Sequence, residues 1–173
     1  MKIFYIDINE FKKNYGKNIL TEYADIKLNS EKRFFEYTLG RYLVREAAKV
    51  FYDVSDKIVL STNGKPKFKN SNLQFSISHS KNIIMVCFDN HPCGIDIEYI
   101  KPRDFTKLAV RYKQEFATCD DFYKFWTLKE AAYKLGSKIT DYKTFKFENH
   151  YCVTVVSAVE FENNPVAINY LAR

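Results

Sequence analysis

Ile3, Phe4, Tyr5, Ile6 and Ile8 crowd the first residues and predict a strand over 2–8. Residues 9–29 are polar, with weak signals. At Ser30, a good N-cap with Glu31 in the first turn, the period changes. Phe35, Leu39, Leu43, Ala47 and Val50 then follow at steps of three or four, which predicts a helix with one buried stripe. Arg33, Tyr37, Arg41, Arg45 and Lys49 step by four along another face, the pattern of a solvated helix side. Ile58-Val59-Leu60 reads as a short strand and Asn63-Gly64-Lys65-Pro66 as a turn. Leu73, Phe75 and Ile77 alternate with Gln74, Ser76 and Ser78, a half-buried strand ending at His79-Ser80. Ile83 to Phe88 is a continuous apolar run, as in a central strand covered on both faces. After the turn Asp89-Asn90-His91-Pro92, Gly94 to Glu98 gives another strand. Phe105, Leu108, Ala109 and Tyr112 predict a helix. A second helix is expected from a cap at Asp120, with Phe125, Leu128, Ala132 and Leu135 as its stripe and Gly136 as its stop. Phe145-Lys146-Phe147, Tyr151 to Val159 and Val166 to Leu171 read as strands.

The order of elements is that of an α+β protein, and it falls into two crude copies of one unit with a join near Pro92. The length, 173 residues, suits one domain or two small halves sharing a core, and no linker long enough to part independent domains interrupts it. Hydrophobic residues at 46% and aromatics at 17% exclude a mainly disordered chain. Asp7 and Glu10 interrupt the N-terminal apolar stretch too early for a signal peptide, and no run is long enough to span a bilayer. A cytoplasmic protein with no membrane role is the expectation. Cys87, Cys93, Cys119 and Cys152 form no C-x-x-C pair and are expected to be reduced thiols; with His79, His91 and His150 they show no zinc spacing. Lys and Arg number 27 against 21 acids, a net charge of +6, which favours an anionic partner without choosing one.

Three segments carry candidate chemistry. In Gly94-Ile95-Asp96-Ile97-Glu98 the isoleucines point one way and the two acids share the other face. Residues two apart on a strand lie roughly 6–7 Å apart, so both carboxylates can hold one hard cation such as magnesium, or simply face solvent on an edge strand. In Phe125-Trp126-Thr127-Leu128-Lys129-Glu130-Ala131-Ala132-Tyr133-Lys134, Glu130 and Lys134 stand at i and i+4, the spacing of a surface ion pair. The same spacing supplies a third carboxylate for a metal and a cation for phosphate charge. In Phe75-Ser76-Ile77-Ser78-His79-Ser80, the histidine at a strand end is placed either as a turn residue or as a donor to phosphate. A Ser-His nucleophile is not supported, because neighbours on a strand point to opposite faces and no G-x-S-x-G elbow occurs.

In this order the segments resemble one family. Ile77-Ser78-His79-Ser80, Gly94-Ile95-Asp96-Ile97-Glu98, Tyr112-Lys113-Gln114-Glu115 and Phe125-Trp126-Thr127-Leu128-Lys129-Glu130 with Lys134 look like the motif set of Sfp-type 4′-phosphopantetheinyl transferases. Asn63-Gly64-Lys65-Pro66 and the helix Leu39 to Arg45 are similar to its N-terminal half, so the likeness covers about residues 30–136. It implies a pseudo-twofold pair of α+β halves with the site between them: residues 1–92 for coenzyme A phosphate contacts and 93–173 for metal and catalysis. It implies transfer of the phosphopantetheine arm of coenzyme A to a serine of an apo acyl or peptidyl carrier protein, with release of adenosine 3′,5′-bisphosphate, by a monomer. Asp96, Glu98 and Glu130 match the magnesium ligands, and Glu130 also the candidate base. Lys134 matches the lysine at the transferring phosphate and His79 the histidine near the 3′-phosphate. Lys65, Lys32, Arg33, Arg41 and Ser78 match further coenzyme A contacts. Two other readings of the same residues are a basic, aromatic-rich nucleic-acid-binding module and another magnesium-dependent phosphotransferase. The first leaves Asp96, Glu98 and Glu130 unexplained, since acids repel phosphate unless a metal intervenes.

Overall fold

The computed structural model describes residues 1–15, 23 and 29–169. In chain order the elements are β1 (Lys2–Asp7), α1 (Ile8–Tyr15), α2 (Glu31–Tyr52), β2 (Ile58–Leu60), β3 (Pro66–Phe68), β4 (Gln74–Ser80), β5 (Ile83–Asp89), β6 (Cys93–Tyr99), α3 (Thr106–Tyr112), α4 (Cys119–Leu135), β7 (Asp141–Phe147), β8 (Tyr151–Ser157) and β9 (Val166–Asn169). Four strands form one sheet in the order β4-β5-β1-β9, three form a second in the order β6-β8-β7, and β2 and β3 make a separate hairpin. The pairs within the first sheet are antiparallel except β1 with β9, which is parallel. The second sheet is antiparallel throughout.

Side-chain alternation explains the layering. On β5, Ile84, Val86 and Phe88 join Phe4 and Ile6 of β1 against Leu39, Leu43 and Ala47 of α2. On the opposite face, Ile83, Met85 and Cys87 meet Cys93, Ile95 and Ile97 of β6 and Val153 and Val155 of β8. The outer face of the second sheet, through Cys152 and Val156, is covered by Phe122, Tyr123, Ala131 and Leu135 of α4. The order is helix, sheet, sheet, helix: an α+β protein, as the sequence predicts. β5 is apolar at six successive positions because both of its faces are covered. All four cysteines are free thiols, as expected, and among the described residues no helix is long and apolar enough to cross a membrane.

Several expectations shift. Residues 8–15 form a helix that their polar pattern hides, held to the core by Ile8 and Phe11; most of 16–29 lies outside the described residues. Ser30 caps α2 as predicted, its side chain accepting the Arg33 N–H. Val50 is 60% exposed, because the inward strip of the last turns runs through Val44, Ala47 and Ala48. The row of cations is not a uniform solvated face: Arg41 is buried, and its guanidinium donates to the Tyr37 hydroxyl. The cap of α4 is Thr118 rather than Asp120, in a reciprocal pair with Asp121. The buried residues of α4 are Phe122, Tyr123, Thr127, Ala131 and Leu135, a stripe that runs one or two positions ahead of the predicted one until they meet at Leu135. β9 carries the chain back beside β1, so part of the stretch 93–173 completes the first sheet. The predicted end of that strand, at residues 170 and 171, lies outside the described residues.

Candidate functional site

The two sheets meet where β4 runs beside β6, and the joint is made by side chains. Hydroxyls of Ser76, Ser78 and Ser80 on β4 accept the backbone N–H groups of Ile95, Ile97 and Tyr99 at 3.2, 3.3 and 2.9 Å. The same edge of β6 has carbonyls at Cys93 and Ile95, which accept from the ammonium groups of Lys65 at 2.9 Å and Lys134 at 3.0 Å. A strand edge that would otherwise leave buried polar groups orphaned is thereby satisfied.

The other face of β6 carries Gly94, Asp96 and Glu98 toward α4. Gly94 permits this: a Cβ there would stand 2.1 Å from the Ala131 carbonyl oxygen. The helix lies almost on the strand backbone, and Lys134 reaches into the joint. Its Nζ is 2.7 Å from Asp96 Oδ1. The Ser78 hydroxyl donates to the same oxygen at 2.8 Å. Asp96 is buried, and its Oδ2 has no hydrogen-bond partner. An acid oxygen closed off from water and left without a donor is costly unless a cation completes it. Glu98 receives the Ser80 hydroxyl at 3.2 Å. Burial pushes its carboxyl above the usual range and the nearby Asp96 charge pushes it further, against hydrogen bonds from Ser80 and Trp126.

Trp126, Glu130 and Lys134 follow at steps of four on α4, so they share one face. Trp126 meets Glu98 and Lys134 meets Asp96, so Glu130 sits on the stretch of helix between those two contacts. Its carboxylate lies 3.7 Å from the Lys129 ammonium, and among the described residues no three acid, histidine or cysteine groups converge closely enough to hold a metal. Asp96 and Glu98 are brought together; Glu130 is brought to the same helix face without closing a triad.

Two cavities flank the joint. One of about 710 Å³ is lined by Arg33, Tyr37, Arg41, Ile77 and His79. The other, of about 620 Å³, is lined by Lys65, Phe75, Ile77, Tyr133, Lys134 and Ser137. They share Gly64, Pro66 and Ile77, so one cleft runs from the basic helix α2 to the end of α4. Three of the predicted cofactor contacts, Arg33, Arg41 and His79, meet in the first cavity, and Lys65 lines the second. Lys32 is not in either lining: it is 80% exposed and pairs at 3.7 Å with Glu36, which lines the first cavity. Ser78 is buried against Asp96 and Ile97 rather than open to the cleft.

No family model matches the chain, but several known proteins resemble it in sequence. The chain is 29% identical over 176 aligned residues to the 4′-phosphopantetheinyl transferase psf-1 of Bacillus pumilus, covering 85% of this chain and 73% of that protein. It is 35% identical over 117 residues to the 4′-phosphopantetheinyl transferase Sfp of Bacillus subtilis strain 168, covering 58% and 51%. The chain is similar to the Sfp-type 4′-phosphopantetheinyl transferases. A third member, the 4′-phosphopantetheinyl transferase gsp of Aneurinibacillus migulanus, is 30% identical over 129 residues, 66% of this chain and 54% of its own. The chain thus spans about half the length of the Sfp and gsp transferases and 73% of the psf-1 transferase.

Sequence patterning places Gly94, Ser76 and Ser80 inside the candidate segments but does not give them the packing roles they have here. Their signals were present: a glycine heading an alternating strand marks a close backbone approach, and serines at every second position of β4 repeat the spacing of the acids on β6.

Proposed function

We propose that this chain transfers the 4′-phosphopantetheine arm of coenzyme A to a serine hydroxyl of an apo acyl or peptidyl carrier protein. The observation that carries the reading is Asp96: buried, with one oxygen without a partner and the other held by Ser78 and by Lys134, which itself lines a cleft whose far side is basic. An orphaned carboxylate oxygen beside a second acid, Glu98, fits a hard divalent cation that takes oxygen ligands, so Asp96 and Glu98 would hold magnesium with Glu130 as the third ligand. When bound, that ion neutralises diphosphate charge on the leaving group.

The chain's own residues divide the remaining work. Arg33, Arg41 and His79 line a cavity suited to the 3′-phosphate end of coenzyme A, with Lys65 beside it on the path to Lys134 and Lys32 outside it. Lys134 stands one turn beyond Glu130, where its ammonium meets charge on the transferring phosphate. Glu130 accepts the serine proton as the serine oxygen bonds to phosphorus and the diphosphate bridge breaks, so that adenosine 3′,5′-bisphosphate leaves. The reading takes residues 1–92 and 93–173 as two halves related by a pseudo-twofold, with the cleft between them. It also takes the chain to act as a cytoplasmic monomer, its positive charge steering an anionic coenzyme and an acidic carrier rather than nucleic acid or a membrane.

Incubation with coenzyme A, magnesium and apo carrier proteins of the fatty-acid, polyketide and peptide-synthesis types tests it, read by intact mass. One carrier gains the mass of a single arm. Glu130→Gln, which removes charge at nearly constant volume, gives a folded protein and no gain. No gain on any carrier with the wild-type chain, or normal transfer by Glu130→Gln, overturns the reading or the role of Glu130 respectively.

A further inference from the structure

We infer that Ser78 and Ser80 are positioning residues that aim the carboxylates of Asp96 and Glu98, rather than contacts to coenzyme A. The inference rests on the proposed metal-dependent reading of the site.

The hydroxyl of Ser78 is used twice. It accepts the Ile97 N–H at 3.3 Å and donates to Asp96 Oδ1 at 2.8 Å. Ser80 repeats the arrangement one rung along, accepting the Tyr99 N–H at 2.9 Å and donating to Glu98 Oε2 at 3.2 Å. A hydroxyl has one proton, so accepting a backbone N–H leaves that proton for the carboxylate and fixes the direction in which it points. Each acid therefore has one oxygen tied to β4. On Asp96 the tied oxygen is shared with Lys134, and the free one, Oδ2, is buried with no partner. Two serines two residues apart on β4 thus match two acids two residues apart on β6, and the rotation of each acid is set by a strand of the opposite sheet. Oxygen ligands to a metal are held in this way by hydrogen-bonding partners behind them, and losing such a partner typically weakens metal binding tenfold to a hundredfold.

Ser76 provides an internal control. It accepts the Ile95 N–H at 3.2 Å as the other two serines accept theirs, yet no hydrogen bond joins its hydroxyl to an acid among those described. Mn²⁺, followed by the electron paramagnetic resonance signal of the free ion, is titrated into the full chain and into Ser76→Ala, Ser78→Ala and Ser80→Ala, with and without coenzyme A. All three variants lose a backbone acceptor and melt a few degrees lower. Only Ser78→Ala and Ser80→Ala bind Mn²⁺ more weakly, by about tenfold or more, with the larger loss at Ser78. Ser78→Thr, which keeps the hydroxyl, restores affinity to within about threefold of wild type. If Ser78→Ala does not fold, Ser80→Ala at its half-buried position carries the test. Unchanged affinity in the serine variants, or an equal loss in Ser76→Ala, overturns the inference while leaving the metal reading intact. A wild-type chain that binds no Mn²⁺ in either condition overturns both.

Discussion

Adding a single methyl group at Gly94 tests how closely the fold and the site depend on one another. The Cβ of Gly94→Ala would lie 2.1 Å from the Ala131 carbonyl oxygen, 2.9 Å from Val156 Cγ2 and 3.0 Å from the Leu135 backbone nitrogen. Two of these three neighbours are backbone atoms, so a rotamer change cannot relieve the clash. To reach ordinary contact, α4 must withdraw from β6 by about 1 Å or more, carrying Lys134 and Glu130 with it. Overpacking of this kind costs about 1–3 kcal/mol, and for a chain of this size each kcal/mol lowers Tm by about 2–4 °C. A fall in Tm of roughly 2–12 °C is expected. The functional loss should be larger, because Lys134 Nζ sits 2.7 Å from Asp96 in the intact joint and a misplacement of about 1 Å at a reacting centre can cost a hundredfold in rate. Thermal melts followed by circular dichroism and arm transfer followed by intact mass measure the two effects on the same preparation. A variant within about 1 °C and twofold of the wild type would refute the claim that this close approach sets the site.

Other residues give shorter tests. His79→Ala should weaken coenzyme A binding more than binding of the analogue lacking the 3′-phosphate; equal losses by calorimetry remove His79 from that phosphate. Lys134→Met leaves the buried Asp96 charge with only a hydroxyl beside it, and should cost about 2–3 kcal/mol, less than the 3–5 of a sealed pair because Lys134 is 28% exposed. Millimolar Mg²⁺ should return part of that loss, and melts insensitive to Mg²⁺ would count against a cation at Asp96. The Asp56 carboxylate accepts N–H groups from Asn70, Ser71 and Lys57, which hold it below its usual 3.8. The sign follows: its contribution to stability is present above pH 3.8 and is lost as the pH falls through the lower folded value. Asp56→Asn should therefore be less stable than wild type at neutral pH, with the gap closing in acid; a gap that is constant with pH contradicts this.

Where each element formed its own periodicity, the sequence was readable. The unbroken apolar run of β5 announced a strand covered on both faces, and Gly136 ended α4 in the left-handed conformation at φ 71°. The alternation of β4 and β6 placed Asp96 and Glu98 on one side together. What could not be read was set by partners distant in the chain. The inward face of α4 is chosen by the missing side chain at Gly94 rather than by the strongest apolar stripe. Arg41 is buried because Tyr37 one turn earlier and the neighbouring strands enclose it, which no local pattern states. The return of β9 to β1 is a pairing across the whole chain, and α1, at eight residues, is too short for a period to declare itself. Ser78 was legible as part of a motif, but its direction, toward an acid of the other sheet, needed the packing of two sheets.

The side-chain closure of the unpaired edge of β6 has a consequence for how the molecule survives its own synthesis. An open strand flank is a template on which foreign polypeptide can stack. Here hydroxyls from Ser76, Ser78 and Ser80 occupy the amides that such stacking requires. That protection exists only after the earlier strands have docked. A fragment beginning near residue 93 would emerge with a sticky, unguarded border, and such a truncation should aggregate where the whole chain stays dispersed.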